Sequence, residues 1–442
     1  MMTEVTKKVV GTALVLFSLL YLFLVFRLTI YSLYEVHYSL DWAFSEYLIN
    51  YSGGFVRRGL LGEALSLFGH ELIVPIFNIV VMMIFVANLV LLIYLSRIAT
   101  VSLVIPFLAI AMPAGVISMT VFGEFEIFAR KEAIFHCFTT YCAVQTIKNY
   151  RMAQRGTECE RLVSSKVRML IVQIFIFSIL AMLSSEGFAF YSVPTLVIIL
   201  SFNTLLSKSF YRYHVLVAYL FLLSFIVGIL FFNRGTADIS TAIIASLPDR
   251  LSSYHEAIDI LGWSVEQQLG QDRGAHGFLG ELFIVVFQCL PILALYLVMF
   301  SFLCRKYARD SSSTIDPVVL GTFLFVFVSL SIGPYFVISG DWTRLLSSIA
   351  VNSLVLILVF TSTSKIYFER TFFLHGLKVR ALSLKFVSVT VLSDKKYSFV
   401  IVWLMIWIAL TFSISGSRHV GMYGMSRYLA KFKELFLLQF GA

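Results

Sequence analysis

Two adjacent arginines stand behind a glycine pair in the stretch Asn50-Tyr51-Ser52-Gly53-Gly54-Phe55-Val56-Arg57-Arg58-Gly59. The glycines allow a tight turn and close approach to a ligand. Paired guanidiniums offer planar forks of N–H donors suited to phosphate or carboxylate. Upstream, Asp41 and Glu46 are acids able to take a proton from a hydroxyl. A second constellation is Glu124-Phe125-Glu126, followed by Arg130 and Lys131. In extended backbone both carboxylates point to one side, which suits a divalent cation such as Mg or Mn or the orientation of a sugar. Arg130 and Lys131 would hold phosphate oxygens, although a Glu126–Arg130 pair at i,i+4 accounts for the same spacing.

Further acids and bases stand apart from these two groups. Glu186 is a lone acid in Ser184-Ser185-Glu186-Gly187-Phe188, between two apolar runs, and is a third candidate proton acceptor. Asp341-Trp342-Thr343-Arg344 is a short polar island, readable as an ion pair or as part of a site. Arg234 opens a long polar segment and is a phosphate candidate. His255 reads as a general base or, equally, as a solvated histidine, and His136 as a packed residue inside an apolar run. The chain carries no Walker A, GxSxG, HExxH or Rossmann fingerprint, and its five cysteines form no CxxC pair.

The elements that must position these groups are set by composition. Of 442 residues, 59% are hydrophobic and 13% charged. A soluble domain is about 25% charged, so an ordinary soluble enzyme and a disordered chain are excluded. About eleven runs are long enough to be read as transmembrane helices: 9–32, 72–95, 101–122, 133–147, 169–184, 188–206, 214–232, 279–303, 317–338, 345–362 and 398–414. The short fourth and fifth runs are expected to extend into their flanks. The expected fold is therefore an all-α, polytopic integral membrane helical bundle, a single domain over 1–442.

Lys and Arg orient it. With the N-terminus inside and alternating sides, the inner segments hold 21 of the 34 basic residues and 7 of the 25 acids. The net charge of +9 is thus a topology signal, and no nucleic-acid partner is expected. The outer side receives 33–71, 123–132, 185–187, 233–278, 339–344 and 415–442, with residues 60–70 as an interfacial helix and 415–442 as a basic interfacial segment. Charges at a membrane boundary are costly unless paired or facing water. The outer acids and arginines are therefore the functional candidates.

This layout resembles bacterial membrane glycosyltransferases of the GT-C type and O-antigen-polymerase-like proteins. The resemblance lies mainly in residues 1–135: Asp41 in the first outer loop, the interfacial helix at 60–70, and Glu124-Phe125-Glu126 between spans three and four. The first loop departs from the GT-C pattern in lacking a D-x-D, which leaves Asp41 and Glu46 both open as the base. The outer arginines Arg57, Arg58, Arg130, Arg234 and Arg344 are more similar to polymerases that hold polyprenyl diphosphate with basic residues.

The resemblance implies a multi-pass inner-membrane transferase for polyprenyl-(di)phosphate-linked glycans, working with other polysaccharide-assembly proteins. In it Asp41, Glu46 or Glu186 would be catalytic. Arg57, Arg58, Arg130, Lys131, Arg234 and Arg344 would bind phosphate, and Glu124, Glu126 and Asp341 would bind substrate or metal. A lipid-linked oligosaccharide flippase or other transporter, and another kind of membrane transferase, are the competing readings.

Overall fold

The structure is a computed structural model. It describes residues 36, 41–99, 130–154, 160–207, 212–263, 317–338, 342–363, 413–415 and 419–421. The expected spans at 9–32, 101–122 and 279–303, and all but the end of 398–414, lie outside the described residues. So do Glu124, Glu126 and Asp341.

Among the described residues the architecture is all-helical, apart from one antiparallel pairing of β1 (Ser413–Ser415) with β2 (His419–Gly421), in register Ile414 to Val420. The last two residues expected in the eleventh span, Ser413 and Ile414, are strand rather than helix. Among the described residues three helices are long and apolar enough to cross a membrane: His70–Ile98, Glu160–Ser184 and Tyr213–Phe232. Each exposes large apolar side chains, among them Met83 and Val90 on the first, Met169 and Ile176 on the second, and Phe221 and Phe225 on the third. Such faces are unfavourable in water and ordinary in lipid.

In chain order, α1 (Asp41–Leu48) and α2 (Gly59–Ser66) form the short first arm, followed by the long α3 (Ile73–Ile98). Next come α4 (Glu132–Ala153), α5 (Glu160–Ser184), the one-turn α6 (Phe188–Tyr191), α7 (Val193–Leu206) and α8 (Arg212–Phe232). Three short helices follow, α9 (Ala237–Ser246), α10 (Asp249–Ser252) and α11 (Glu256–Asp259), and then α12 (Pro317–Ile338) and α13 (Trp342–Ser362). The fourth and fifth runs do extend into their flanks, to 22 and 25 residues.

Helix α4 is the hub, packed against α3, α5, α7 and α13. It is much less apolar than its neighbours because its polar residues face inward: Thr139, Thr140, Thr146 and Asn149 are all buried. Helices in lipid gain little from burying more hydrocarbon and associate through close packing and interhelical hydrogen bonds. The bonds are present. Asn203 donates to Thr146 Oγ1 at 2.8 Å, Asn88 to the Ala133 carbonyl at 2.8 Å, and Asn352 to the Tyr191 carbonyl at 2.6 Å. The threonines also donate to their own i−4 carbonyls, which satisfies their hydroxyls inside the helix.

The segment after α8, read from sequence as a long polar insert, folds back onto α1. The Ala257 amide donates to Ser45 Oγ at 3.1 Å, Tyr254 meets Phe44 edge to face, and Gly53 lies against the backbone of Ile239. Helix α2 crosses the end of α1 so closely that a Cβ on Gly62 would stand 2.0 Å from the Ile49 carbonyl oxygen. That oxygen is backbone and cannot move aside. Gly62→Ala is expected to destabilise the protein by about 1–3 kcal/mol, the usual cost of overpacking. Gly228→Ala, with open space around the new methyl, is expected to be neutral or mildly stabilising. Unfolding midpoints of the two variants in detergent check the contrast, and equal midpoints would contradict it.

Candidate functional site

Four segments distant in sequence meet at one end of the bundle: 41–63, 130–132, 184–187 and 233–263. The charged side chains are delivered by three of them. From α1, Glu46 points inward while Asp41, five residues earlier, is turned about 140° away around the helix. From the turn after α1 come Arg57 and Arg58. The start of α4 supplies Arg130, Lys131 and Glu132, and the turn between α5 and α6 supplies Glu186.

The Arg57–Arg58 turn is pinned on both sides. The Arg57 amide donates to the Asn233 carbonyl at 2.9 Å. The Lys131 ammonium donates to the carbonyls of Arg58 at 3.4 Å and Ser184 at 3.0 Å. The Tyr51 amide donates to Glu63 Oε2 at 3.1 Å and the Gly54 amide to the Tyr51 carbonyl at 2.9 Å. Arg58 adopts φ +68°, the left-handed region that non-glycine residues rarely occupy. Residues held there cluster at functional sites, where surrounding contacts overcome the local cost.

The ion pairs converge on two carboxylates. Arg58 presents its fork to Glu186: Nε donates to Oε2 at 2.9 Å and to Oε1 at 3.1 Å, and Nη2 to Oε1 at 2.5 Å. Arg57 Nη1 adds a bond to the same Oε1 at 3.2 Å. Glu46 Oε1 accepts from Arg130 Nη1 at 3.0 Å and lies 3.7 Å from Arg58 Nη1. Arg58 therefore links both acids. Two aromatic faces complete the enclosure, with Trp42 5.7 Å from the Arg130 guanidinium and Tyr47 5.6 Å from the Lys131 ammonium.

Among the described residues four cations thus face three acids, Glu46, Glu132 and Glu186, one positive charge in excess. The cluster is graded. Its Arg130–Glu46 side is sealed, at 5% and 8% side-chain exposure, and its Arg58–Glu186 side is partly open, at 21% and 23%. Glu186 is held far below the usual carboxylate range. Burial alone would raise it, but the Arg58 and Arg57 charges and the Arg58 hydrogen bonds outweigh that effect. An acid so held is a weak base. Burial pushes the Tyr47 hydroxyl well above its ordinary value, reinforced by Glu46 and Glu132.

Asp41 lies apart from these pairs. Its Oδ1 meets no hydrogen-bond partner among the described residues. Its carboxyl is raised, first by partial burial and then by the negative charge of Glu256. Unlike Glu186, Asp41 has surroundings that favour taking up a proton.

The structure brings together Glu46, Arg57, Arg58, Arg130, Lys131 and Glu186. Arg130, read from sequence as a partner for Glu126, pairs with Glu46. Arg234 is exposed, with its guanidinium 5.3 Å from the Phe231 ring centre, although its neighbour Asn233 holds the arginine turn. Arg344 lies in α13. His255 is exposed and pairs with Asp259 one turn later. His136 is buried, with Nε2 3.2 Å from Ser348 Oγ. Reasoning from sequence missed Glu132, Trp42 and Tyr47. For Glu132 the signal was present, since it directly follows Arg130-Lys131 at the mouth of an apolar run.

Among the described residues no three His, Cys, Asp or Glu side chains gather as a metal site requires. Glu46 and Glu186 are both engaged by guanidiniums. Comparison of the chain with protein-family models, curated proteins and solved structures finds no match.

The Lys131 ammonium is buried and pushed down to about 8 from its ordinary 10.5, chiefly by loss of hydration. Below about pH 8 both the folded and unfolded chains hold the proton, and the burial cost is present in full. Between about 8 and 10.5 the unfolded chain still holds a proton that the folded chain has released, so stability rises with pH. The neutral amine keeps two N–H donors for its two carbonyls. Relative to Lys131→Met, the wild-type protein is expected to gain roughly 2–3 kcal/mol between pH 7.5 and 10.5. Denaturant unfolding in detergent at both pH values measures this, and parallel profiles would refute it.

Proposed function

We propose that this chain is a membrane-embedded transferase acting on a polyprenyl-(di)phosphate-linked sugar in surface polysaccharide assembly. It sits in a bacterial inner membrane as a single domain of about eleven spans with its N-terminus inside, and the ion cluster faces outward. The observation that supports this reading is the cation-rich cluster at the ends of membrane-type helices, partly open at Arg58. Beside it the tip after α2 exposes Leu67, Phe68 and Leu72, an apolar edge suited to the lipid boundary.

In the reaction, Arg57 and Arg58 hold the phosphate oxygens and stabilise the charge that develops there. The acceptor hydroxyl oxygen attacks the anomeric carbon while Asp41 takes its proton. The bond from that carbon to the phosphate oxygen breaks, and the lipid (di)phosphate leaves with the electron pair. Arg130 and Glu46 keep Arg58 in place from the sealed side.

The flippase reading draws on the buried polar seam of His136, Ser348 and Asn352 inside the bundle. That seam is uncharged as far as it is described, whereas the ion pairs lie at helix ends. A transporter is expected to carry its functional charges near mid-membrane.

The test is in-cell polysaccharide profiling of Arg57→Ala, Arg58→Ala and Asp41→Ala at wild-type membrane levels. Each is expected to lower product by at least about 100-fold, the usual scale for a general base or a charge-stabilising donor. Unchanged chain length and sugar decoration in all three would reject the assignment.

A further inference from the structure

The Arg58–Glu186 geometry is the one a guanidinium offers a tetrahedral oxyanion. Nε and Nη2 point in the same direction with Arg57 Nη1 beside them, and all three donors bond Glu186. We propose that Glu186 is the resident anion of a phosphate site, occupying the arginine fork in the empty protein and giving way to the phosphate oxyanion of the substrate. This deepens the functional reading above and rests on it.

Three observations carry the inference. The first is access. Arg57, Arg58 and Glu186 have side-chain exposures of 13%, 21% and 23%, against 5% and 8% for Arg130 and Glu46. A ligand reaches the Glu186 pair and is shut out from the Glu46 pair, so only one of the two acids can be exchanged.

The second is the fixity of the donors. The backbone of the arginine turn is tied to Asn233 through the Arg57 amide and to Lys131 through the Arg58 carbonyl. Arg58 Nη1 also stays within 3.7 Å of Glu46. Neither anchor involves Glu186, so the fork keeps its position when that carboxylate swings out. Glu186 sits in the turn before α6, whose own backbone bonds, such as Ala189 N to the Glu186 carbonyl at 3.1 Å, do not depend on its side chain.

The third is charge. With Glu186 in place the four cations and three acids leave one excess positive charge. With Glu186 swung into solvent the excess is two, which a sugar-linked diphosphate, with one charge on each phosphorus, neutralises. A monoanionic carboxylate is thus a partial substitute for a doubly charged ligand, and this makes it displaceable.

The experiment is calorimetric titration of the purified full chain in maltoside micelles with two probes, dodecyl phosphate and inorganic phosphate. Glu186→Gln, which removes the competing charge, is expected to bind at least one probe about tenfold tighter than wild type. Glu186→Asp, which keeps the charge but shortens its reach, is expected to bind severalfold tighter and covers the case in which the glutamine variant does not fold. A gain for dodecyl phosphate alone identifies a lipid headgroup as the ligand. An equal gain for inorganic phosphate identifies the free ion. Weaker or unchanged binding by both Glu186 variants, with loss on Arg58→Ala, would make Glu186 a fixed strut and overturn the inference while leaving the arginine site intact. Binding unaffected by Arg57→Ala and Arg58→Ala would instead reject the phosphate reading itself.

Discussion

A charged side chain drawn out of water costs several kcal/mol unless a partner of opposite sign and suitable hydrogen bonds meet it. That constraint organises this end of the molecule. Glu46, Arg57, Arg58, Arg130 and Glu186 come from three segments, with bonded partners up to 129 positions apart, and none can be buried there alone. Arg58 is the joint, since its fork holds Glu186 while Nη1 faces Glu46, the partner of Arg130. Break that joint and two acids and two other cations lose their common neighbour. The left-handed backbone of Arg58 and the buried Lys131 beneath it are costs tolerated for this geometry.

The helices follow the same logic with weaker interactions. Because lipid is as apolar as leucine, hydrophobicity alone cannot tell α4 which neighbours to choose. Hydrogen bonds with definite partners can, from Asn203 of α7 to Thr146 and from Asn88 of α3 to the Ala133 carbonyl. Helix α4 thereby fixes where Arg130, Lys131 and Glu132 enter the site, at its own first turn. Helix α5 fixes Glu186 at its far end by the same means, with Ser178 bonded to Tyr219 of α8 at 2.8 Å. A rigid bundle with polar seams thus sets the spacing of charges carried at its helix ends and in the turns between them.

Much of this was legible in the chain. Apolar runs marked α3, α5, α7, α8, α12 and α13, and the segments expected outside, 33–71, 123–132, 185–187 and 233–278, contain the described stretches 41–63, 130–132, 185–187 and 233–263 that the structure has touching. Gly-Gly before Arg-Arg announced a tight turn, and Gly54 takes φ +109° there. What was not legible is pairing across the sequence. Spacing alone offered Arg130 the local partner Glu126, and nothing local to Arg130 announces Glu46, 84 positions away. The fold of 233–263 against α1 was hidden for the same reason, since its contacts join distant residues, such as Ser45 with Ala257, 212 positions apart. Lys131 read as a surface phosphate ligand because sequence cannot show depth.

The division of labour among the acids follows from helix geometry and burial together. Asp41 and Glu46 share α1 yet occupy different faces, so one helix carries a carboxylate into the ion cluster and leaves another at its rim. In the cluster, cations stabilise the charged form and suppress basicity. At the rim, partial burial and the neighbouring Glu256 favour the neutral form and raise it. Two carboxylates five residues apart on one helix thus meet different surroundings, because the arginine turn closes over only one face of α1.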